Sequence, residues 1–168
     1  MLIFLTGMMG SGKSTVGLKL AEELAMPFFD TDNIIESIEG MSVSDIFTVK
    51  GEDYFRNAEF ELISDWKISD GIVATGGGLP CYNGLIDQLN AKGKTVFLKT
   101  SISKIVERIS KDQTRPLVAG KSTAQTKKAI SGILKMRVAE YNKSKIKIRS
   151  EGTTDEIVRK IIVNVYSK

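Results

Sequence analysis

Apolar positions alternate between two patterns along the chain. Leu2 to Thr6 is a short continuous run, the kind that lies inside a parallel sheet with both faces covered. Glycines follow. Val16, Leu20 and Leu24 then recur at helical spacing, in a helix from about Lys13 that stops before Pro27. Phe28-Phe29 predicts a second strand, and Ile34, Ile35 and Ile38 predict a helix ending near Gly40. A longer helix is expected from about Glu52 to Trp66, with Phe55, Leu62 and Trp66 turned to the core. Ile72-Val73-Ala74 reads as a third strand, and a helix near Leu85 to Leu89 leads to a fourth, Thr95 to Leu98. Ile102, Ile105, Val106 and Ile109 form another helical stripe. Residues 111–122 are polar, contain Arg115-Pro116 and Gly120, and read as a loop. A helix over about Thr123 to Tyr141 and a strand over Ile146 to Ile148 come next. The last helix opens on Thr153 and Glu156 at capping-box spacing and carries Ile157, Ile161 and Val165. Strands separated by helices predict an α/β fold, a parallel sheet with helices on both faces. No repeat or linker interrupts the pattern, so one domain over residues 1–168 is expected.

Composition narrows the chemistry. The chain has 168 residues, 42% of them hydrophobic and 26% charged, enough apolar material for a packed core. It has no histidine, which excludes a histidine-based triad, an imidazole base and His-ligated zinc. Its one cysteine, Cys81, forms no internal disulfide and reads as a buried, inert thiol. Met1 to Leu5 lacks a basic segment and reads as a strand and not a signal peptide, and no stretch of apolar residues is long enough to span a bilayer. A cytoplasmic setting is expected. The net charge of +4 hides a split: residues 1–84 carry 5 Lys/Arg against 13 Asp/Glu, and residues 85–168 carry 19 against 7. Such asymmetry points either to a polyanion or to helix faces that are simply solvated.

The strongest motif is Gly7-Met8-Met9-Gly10-Ser11-Gly12-Lys13-Ser14-Thr15, which fits G-x-x-x-x-G-K-[ST] between a strand and a helix. Glycines let successive backbone N–H groups curl around a phosphate, and the helix N-terminus adds positive potential. Lys13 is expected on the β- and γ-phosphates of a nucleotide, and the Ser14 hydroxyl on Mg²⁺. Gly10, Ser11, Gly12 and Thr15 complete the ATP-binding segment. No Asn-Lys-x-Asp guanine-reading sequence occurs, which turns the reading from a GTPase toward a small-molecule kinase.

Asp30-Thr31-Asp32 follows the second strand, at the end of the sheet where ligands of open parallel sheets bind. On an extended chain both carboxylates share one side. One then supports the metal through water and the other accepts the proton of an acceptor hydroxyl. The same residues suit a helix N-cap by Asp32. The polar stretch 111–122 has the length of a lid, with Arg115 as its cation.

With these residues in view, the chain resembles the shikimate kinases over roughly residues 1–141. Further marks are Asp45-Ile46-Phe47, Gly51-Glu52-Asp53-Tyr54-Phe55-Arg56 with Glu59, Ala74-Thr75-Gly76-Gly77-Gly78 and Arg115-Pro116-Leu117. The resemblance implies a P-loop fold of five parallel strands in the order 2-3-1-4-5. It implies transfer of the ATP γ-phosphoryl group to the 3-hydroxyl of shikimate, on the way to chorismate and aromatic amino acids. It assigns Asp32 to that hydroxyl, and Ser14 and, through water, Asp30 to Mg²⁺. It assigns to shikimate Arg56, within a substrate-binding segment of about 32–61, and also Gly76, Gly77, Gly78 and Arg137. It gives Arg115 to the phosphates from the lid and Arg108 to the adenine. Glu59, three residues from Arg56 on a helix, is positioned to brace it. After Arg137 this chain has Val138-Ala139-Glu140-Tyr141 where the family often has Pro-Leu-Tyr.

The partners so implied are ATP and shikimate, with no nucleic acid and no membrane, and the protein is expected to be a monomer. Two other readings stand beside it. One is another small P-loop kinase, for gluconate or a nucleoside monophosphate. The other is a nucleic-acid-binding ATPase, which the basic second half prompts and the lack of interleaved aromatics there opposes.

Overall fold

The computed structural model describes residues 1–110 and 122–167. Its centre is a five-stranded sheet: β1 (Leu2–Thr6), β2 (Phe28–Asp30), β3 (Gly71–Ala74), β4 (Lys94–Lys99) and β5 (Ile146–Arg149). The strands lie in the order β2-β3-β1-β4-β5 and every pairing is parallel, as expected.

Period-two alternation explains the double-sided burial. Ile3 and Leu5 of β1 face one way, where Val16 and Leu20 of α1 (Lys13–Leu24) and Ile157, Ile161 and Val165 of α8 (Thr154–Tyr166) cover them. Leu2 and Phe4 face the other way, against Ile63 of α4 (Glu52–Ser64) and Leu85 and Leu89 of α5 (Leu85–Lys92). Further along that second face, Phe97 packs with Ile105 and Ile109 of α6 (Ile102–Ile109) and Ile130 and Tyr141 of α7 (Thr123–Tyr141). The capping box read at Thr153 and Glu156 forms: Thr153 N donates to Glu156 Oε2 at 2.8 Å, and Glu156 N to Thr153 Oγ1 at 3.3 Å.

Two details differ from the sequence reading. Between α2 (Thr31–Glu39) and α4 lies an unexpected helix, α3 (Val43–Val49). It buries a single residue completely, Ile46, so it has no apolar stripe to betray it. Its signal is the Ser42-x-x-Asp45 start, where Ser42 Oγ accepts from Asp45 N at 3.1 Å. The long helix also ends at Ser64, before Trp66. Phe55 and Leu62 pack into a small separate cluster with Ile35 and Ile46, and Ile63 is the residue that meets the sheet. Trp66 packs edge-on to Phe29 from the following loop, with ring centroids 5.7 Å apart. No described helix is long and apolar enough to cross a membrane.

Candidate active site

The loop between β1 and α1 turns on Gly7, Gly10 and Gly12, at φ +137°, +73° and +94°, a region side chains with a Cβ rarely enter. Its carbonyls are engaged by other parts of the chain. Ser11 O accepts from Ser150 Oγ at 3.0 Å and from Arg108 Nη1 at 3.0 Å, and Gly10 O accepts from Arg108 Nη1 at 3.2 Å. The first N–H groups of α1 have no carbonyl within their own helix to pair with, which makes this end a seat for an anion. Lys13 is buried, and its Nζ donates to Gly7 O at 2.9 Å and Met8 O at 3.0 Å. The ammonium therefore lies over the loop. Arg108, which the resemblance assigns to the adenine, rests on the backbone of the loop.

The acidic residues lie beside the loop. Ser14 Oγ donates to Asp30 Oδ2 at 2.8 Å, which ties the start of α1 to the end of β2. The expectation of an extended Asp30-Thr31-Asp32 fails, because α2 begins at Thr31. The cap is also not Asp32. Asp30 takes that role and its Oδ1 accepts from Asp32 N at 3.1 Å, so the second helical N–H has a partner. Helical geometry still brings both carboxylates to one place. Asp30, Asp32, Lys13, Ser14, Thr75 and Gly77 all line a cavity of about 510 Å³. Burial, and then the nearby charge of Asp30, push the Asp32 carboxyl above the ordinary carboxylate range.

Arg56 on α4 is held between two acids on its own helix. Nη2 donates to Glu52 Oε1 at 2.8 Å and Nη1 to Glu59 Oε2 at 2.7 Å. Arg56 is only 8% exposed and Glu59 is 0% exposed, so this is not a solvated surface pair. The guanidinium lies 4.4 Å from the Tyr82 ring centroid. The glycine turn after β3 makes these contacts possible. A Cβ on Gly78 would meet Arg56 Nη1 at 2.5 Å, and one on Gly76 would meet Asp32 Oδ1 at 2.5 Å. Gly77 approaches the phosphate loop, with its Cβ position 3.1 Å from Met9 N.

Arg137 is half-buried on α7, one turn before Tyr141. Its charge lowers the Glu52 and Glu59 carboxyls as a smaller influence on each. Asp32, Arg56, Arg137 and the glycine turn thus form one neighbourhood next to the phosphate loop. Arg115 and the rest of the expected lid up to residue 121 lie outside the described residues. Sequence reasoning overlooked Tyr141 as a structural tie and Glu52 as a second partner of Arg56. Acids three residues after Arg56 and four before it were the available signal for the pairing.

A model of the shikimate kinase family matches residues 9–166. The chain belongs to the shikimate kinase family. A shikimate kinase from Clostridium botulinum (strain 657 / Type Ba4) is 38% identical over 169 residues, covering 99% of this chain and 96% of that protein. One from Aquifex aeolicus (strain VF5) is 35% identical, covering 98% and 96%. Among solved structures, the Aquifex aeolicus enzyme has TM-score 0.82 at 34% identity, covering 98% of this chain and 95% of that one. A shikimate kinase from Acinetobacter baumannii in complex with shikimate has TM-score 0.85 at 32% identity, covering 98% and 92%. A gluconokinase from Sinorhizobium meliloti has TM-score 0.54 at 18% identity, covering 97% and 90%, a likeness of fold alone. The five-stranded sheet is that of the P-loop kinases, the chain is a shikimate kinase by family, and neither alternative reading is favoured.

Proposed function

We propose that the chain transfers the γ-phosphoryl group of ATP to the 3-hydroxyl of shikimate, as one domain over residues 1–168. The observation that carries this reading is the convergence of Asp32, Arg56 and the Gly76–Gly78 turn beside the Lys13 loop. Gly10, Ser11, Gly12, Lys13, Ser14 and Thr15 bind the nucleotide phosphates, with Arg108 behind them. Arg56 and Arg137 hold the shikimate carboxylate; an arginine fork matches a carboxylate with two parallel hydrogen bonds. The glycine turn admits the ring close to the backbone. Asp32 orients the 3-hydroxyl and accepts its proton as the oxygen attacks phosphorus. Arg115, in the lid of about 111–122, neutralises phosphate charge.

The Ser14 hydroxyl and the Asp30 carboxylate are hard oxygen donors 2.8 Å apart at the cavity wall, a set suited to Mg²⁺. No cluster of three metal-ligating side chains occurs among the described residues, which fits an ion that takes its remaining oxygens from phosphates and water. Bound there, Mg²⁺ would neutralise charge on the nucleotide phosphates. The reading includes a cytoplasmic monomer.

A coupled ADP-release assay with ATP and Mg²⁺ tests the whole. Release that depends on shikimate supports the proposal. Equal release without shikimate, or release driven instead by gluconate or a nucleoside monophosphate, overturns it.

A further inference from the structure

Two buried carboxylate oxygens, on different helices, lack a hydrogen-bond partner among the described residues: Asp32 Oδ1 on α2 and Glu59 Oε1 on α4. They lie against the same point. A Cβ on Gly76 would meet Asp32 Oδ1 at 2.5 Å and Glu59 Oε1 at 2.8 Å. Two ionised carboxylates sharing a buried site repel each other, and each bare oxygen there costs desolvation energy. A proton on one of them removes the repulsion and turns that oxygen into a donor on the side where the other lies.

The surroundings decide which acid holds it. Glu59 is wholly buried and its other oxygen, Oε2, is taken by Arg56 Nη1 at 2.7 Å. Arg56 divides its charge between Glu59 and Glu52, so one guanidinium faces two acids. The charged groups acting on Glu59 are Arg56 on its own helix, Asp32 on α2 and Arg137 on α7. Burial pushes the Glu59 carboxyl up to about 7, the Arg56 charge and hydrogen bond pull it down, and Asp32 pushes it up again. Burial and then the Asp30 charge also push the Asp32 carboxyl up, but Asp32 is only partly buried where Glu59 is wholly buried, and Lys13 favours the ionised form of Asp32.

We propose that Glu59 is a positioning residue that works as a neutral acid: Oε2 accepts from Arg56 while protonated Oε1 donates to Asp32 Oδ1. Asp32 is thereby kept as the anion and turned so that its other oxygen meets the acceptor hydroxyl. This role differs from that of a charged brace for Arg56, which needs Glu59 ionised. It rests on the reading of Asp32 as the group at the acceptor hydroxyl.

The test compares the pH dependence of kcat/KM for shikimate in the wild type, Glu59→Gln and Glu59→Ala, with Asp32→Asn alongside. A glutamine keeps one acceptor for Arg56 and one donor for Asp32. We expect Glu59→Gln to lose less than about tenfold and to lack the alkaline decline that Glu59 ionisation gives the wild type, and Glu59→Ala to lose more than about a hundredfold. A Glu59→Gln loss as deep as that of Glu59→Ala, or a wild-type alkaline limb that persists unchanged in Glu59→Gln, overturns the proposal. Infrared difference spectra of wild type minus Glu59→Gln, at mildly acid pH, give an answer that does not depend on Glu59→Ala folding. A protonated-carboxyl band is expected there, and its absence overturns the proposal. An Asp32→Asn enzyme with unimpaired kcat would instead sink the underlying reading of Asp32.

Discussion

The Tyr141 hydroxyl, buried at the end of α7, donates to the carbonyl oxygen of Gly77 in the turn after β3. The same ring stacks on Phe97 with centroids 5.1 Å apart, and the hydroxyl lies 3.6 Å from Met8 Sδ of the phosphate loop. One side chain thus joins the helix that carries Arg137 to both loops of the site. Replacing it with phenylalanine keeps the packing and leaves the Gly77 carbonyl without that donor. Tyr141→Phe is expected to lower stability by about 1–3 kcal/mol in urea unfolding. On the proposed role of the turn at the acceptor, KM for shikimate should rise and KM for ATP should change little. Equal changes in the two would show that the tie serves the whole cavity rather than the acceptor side.

Gly76 is a second point where backbone closeness matters. Its N–H donates to Thr31 Oγ1 at 2.8 Å, which fixes the turn. An added methyl group would meet the far ends of Asp32 and Glu59, which can swing aside. The fold should therefore survive Gly76→Ala while the carboxylates are displaced. We expect turnover to fall by about a hundredfold or more, since small misplacements of positioned groups cost that much. The thermal midpoint and ATP affinity should move little. Wild-type turnover in Gly76→Ala would remove Asp32 from the reaction.

Arg56→Lys separates charge from geometry. Lysine keeps the positive charge beside buried Glu59 but has no planar fork. It cannot span Glu52 and Glu59 as Arg56 does through Nη2 and Nη1. KM for shikimate is expected to rise by about tenfold or more, the equivalent of about 1.4 kcal/mol. Direct titration of shikimate by calorimetry checks it; affinity within about twofold of wild type would mean that charge alone holds the acid.

The strands and the phosphate loop were readable in the sequence because both are local patterns: apolar runs of strand length, and glycines at fixed spacing from Lys13 and Ser14; the order of the strands came only from the resemblance to the shikimate kinases. Which Asp caps α2 was not readable. That depends on whether the chain leaves β2 extended or helical, and Thr31, fully buried and bonded to Gly76 N, belongs to the helix. The Asp32–Glu59 approach was also hidden, since it joins two helices across the Gly76 backbone and spacing along the chain carries no trace of it. Of the basic excess, several residues are accounted for by surface pairs, such as Lys104 with Glu107 at 2.9 Å and Lys143 with Glu140 at 2.9 Å. Such exposed pairs contribute little stability.

The expectation that Cys81 is an unreactive thiol has a direct test. The residue is half-buried beside α7, with Sγ 3.9 Å from the Arg137 carbonyl oxygen, and burial pushes the thiol up to about 11. Only the thiolate attacks an alkylating reagent. At mildly alkaline pH, native protein should react with iodoacetamide far more slowly than urea-unfolded protein, as followed by mass spectrometry. Equal rates would place the sulfur in open solvent.

Glu59 also gives folding stability a pH dependence whose sign is fixed. Its carboxyl titrates at about 7 in the folded chain, against an ordinary 4.5. Between those values the folded protein holds a proton that the unfolded chain has released, so rising pH favours unfolding. The contribution is fully present below about 4.5 and lost once pH passes about 7. It amounts to something on the order of 3 kcal/mol. Asp32, also shifted upward, acts in the same direction, while Glu52, held below the usual range by its hydrogen bond to Arg56, acts in the opposite one. The difference between wild type and Glu59→Gln isolates the term. Urea midpoints measured from acid to neutral pH should fall more steeply for the wild type. Parallel curves would mean that Glu59 is already ionised in the acid range and that Arg56 compensates its burial in full.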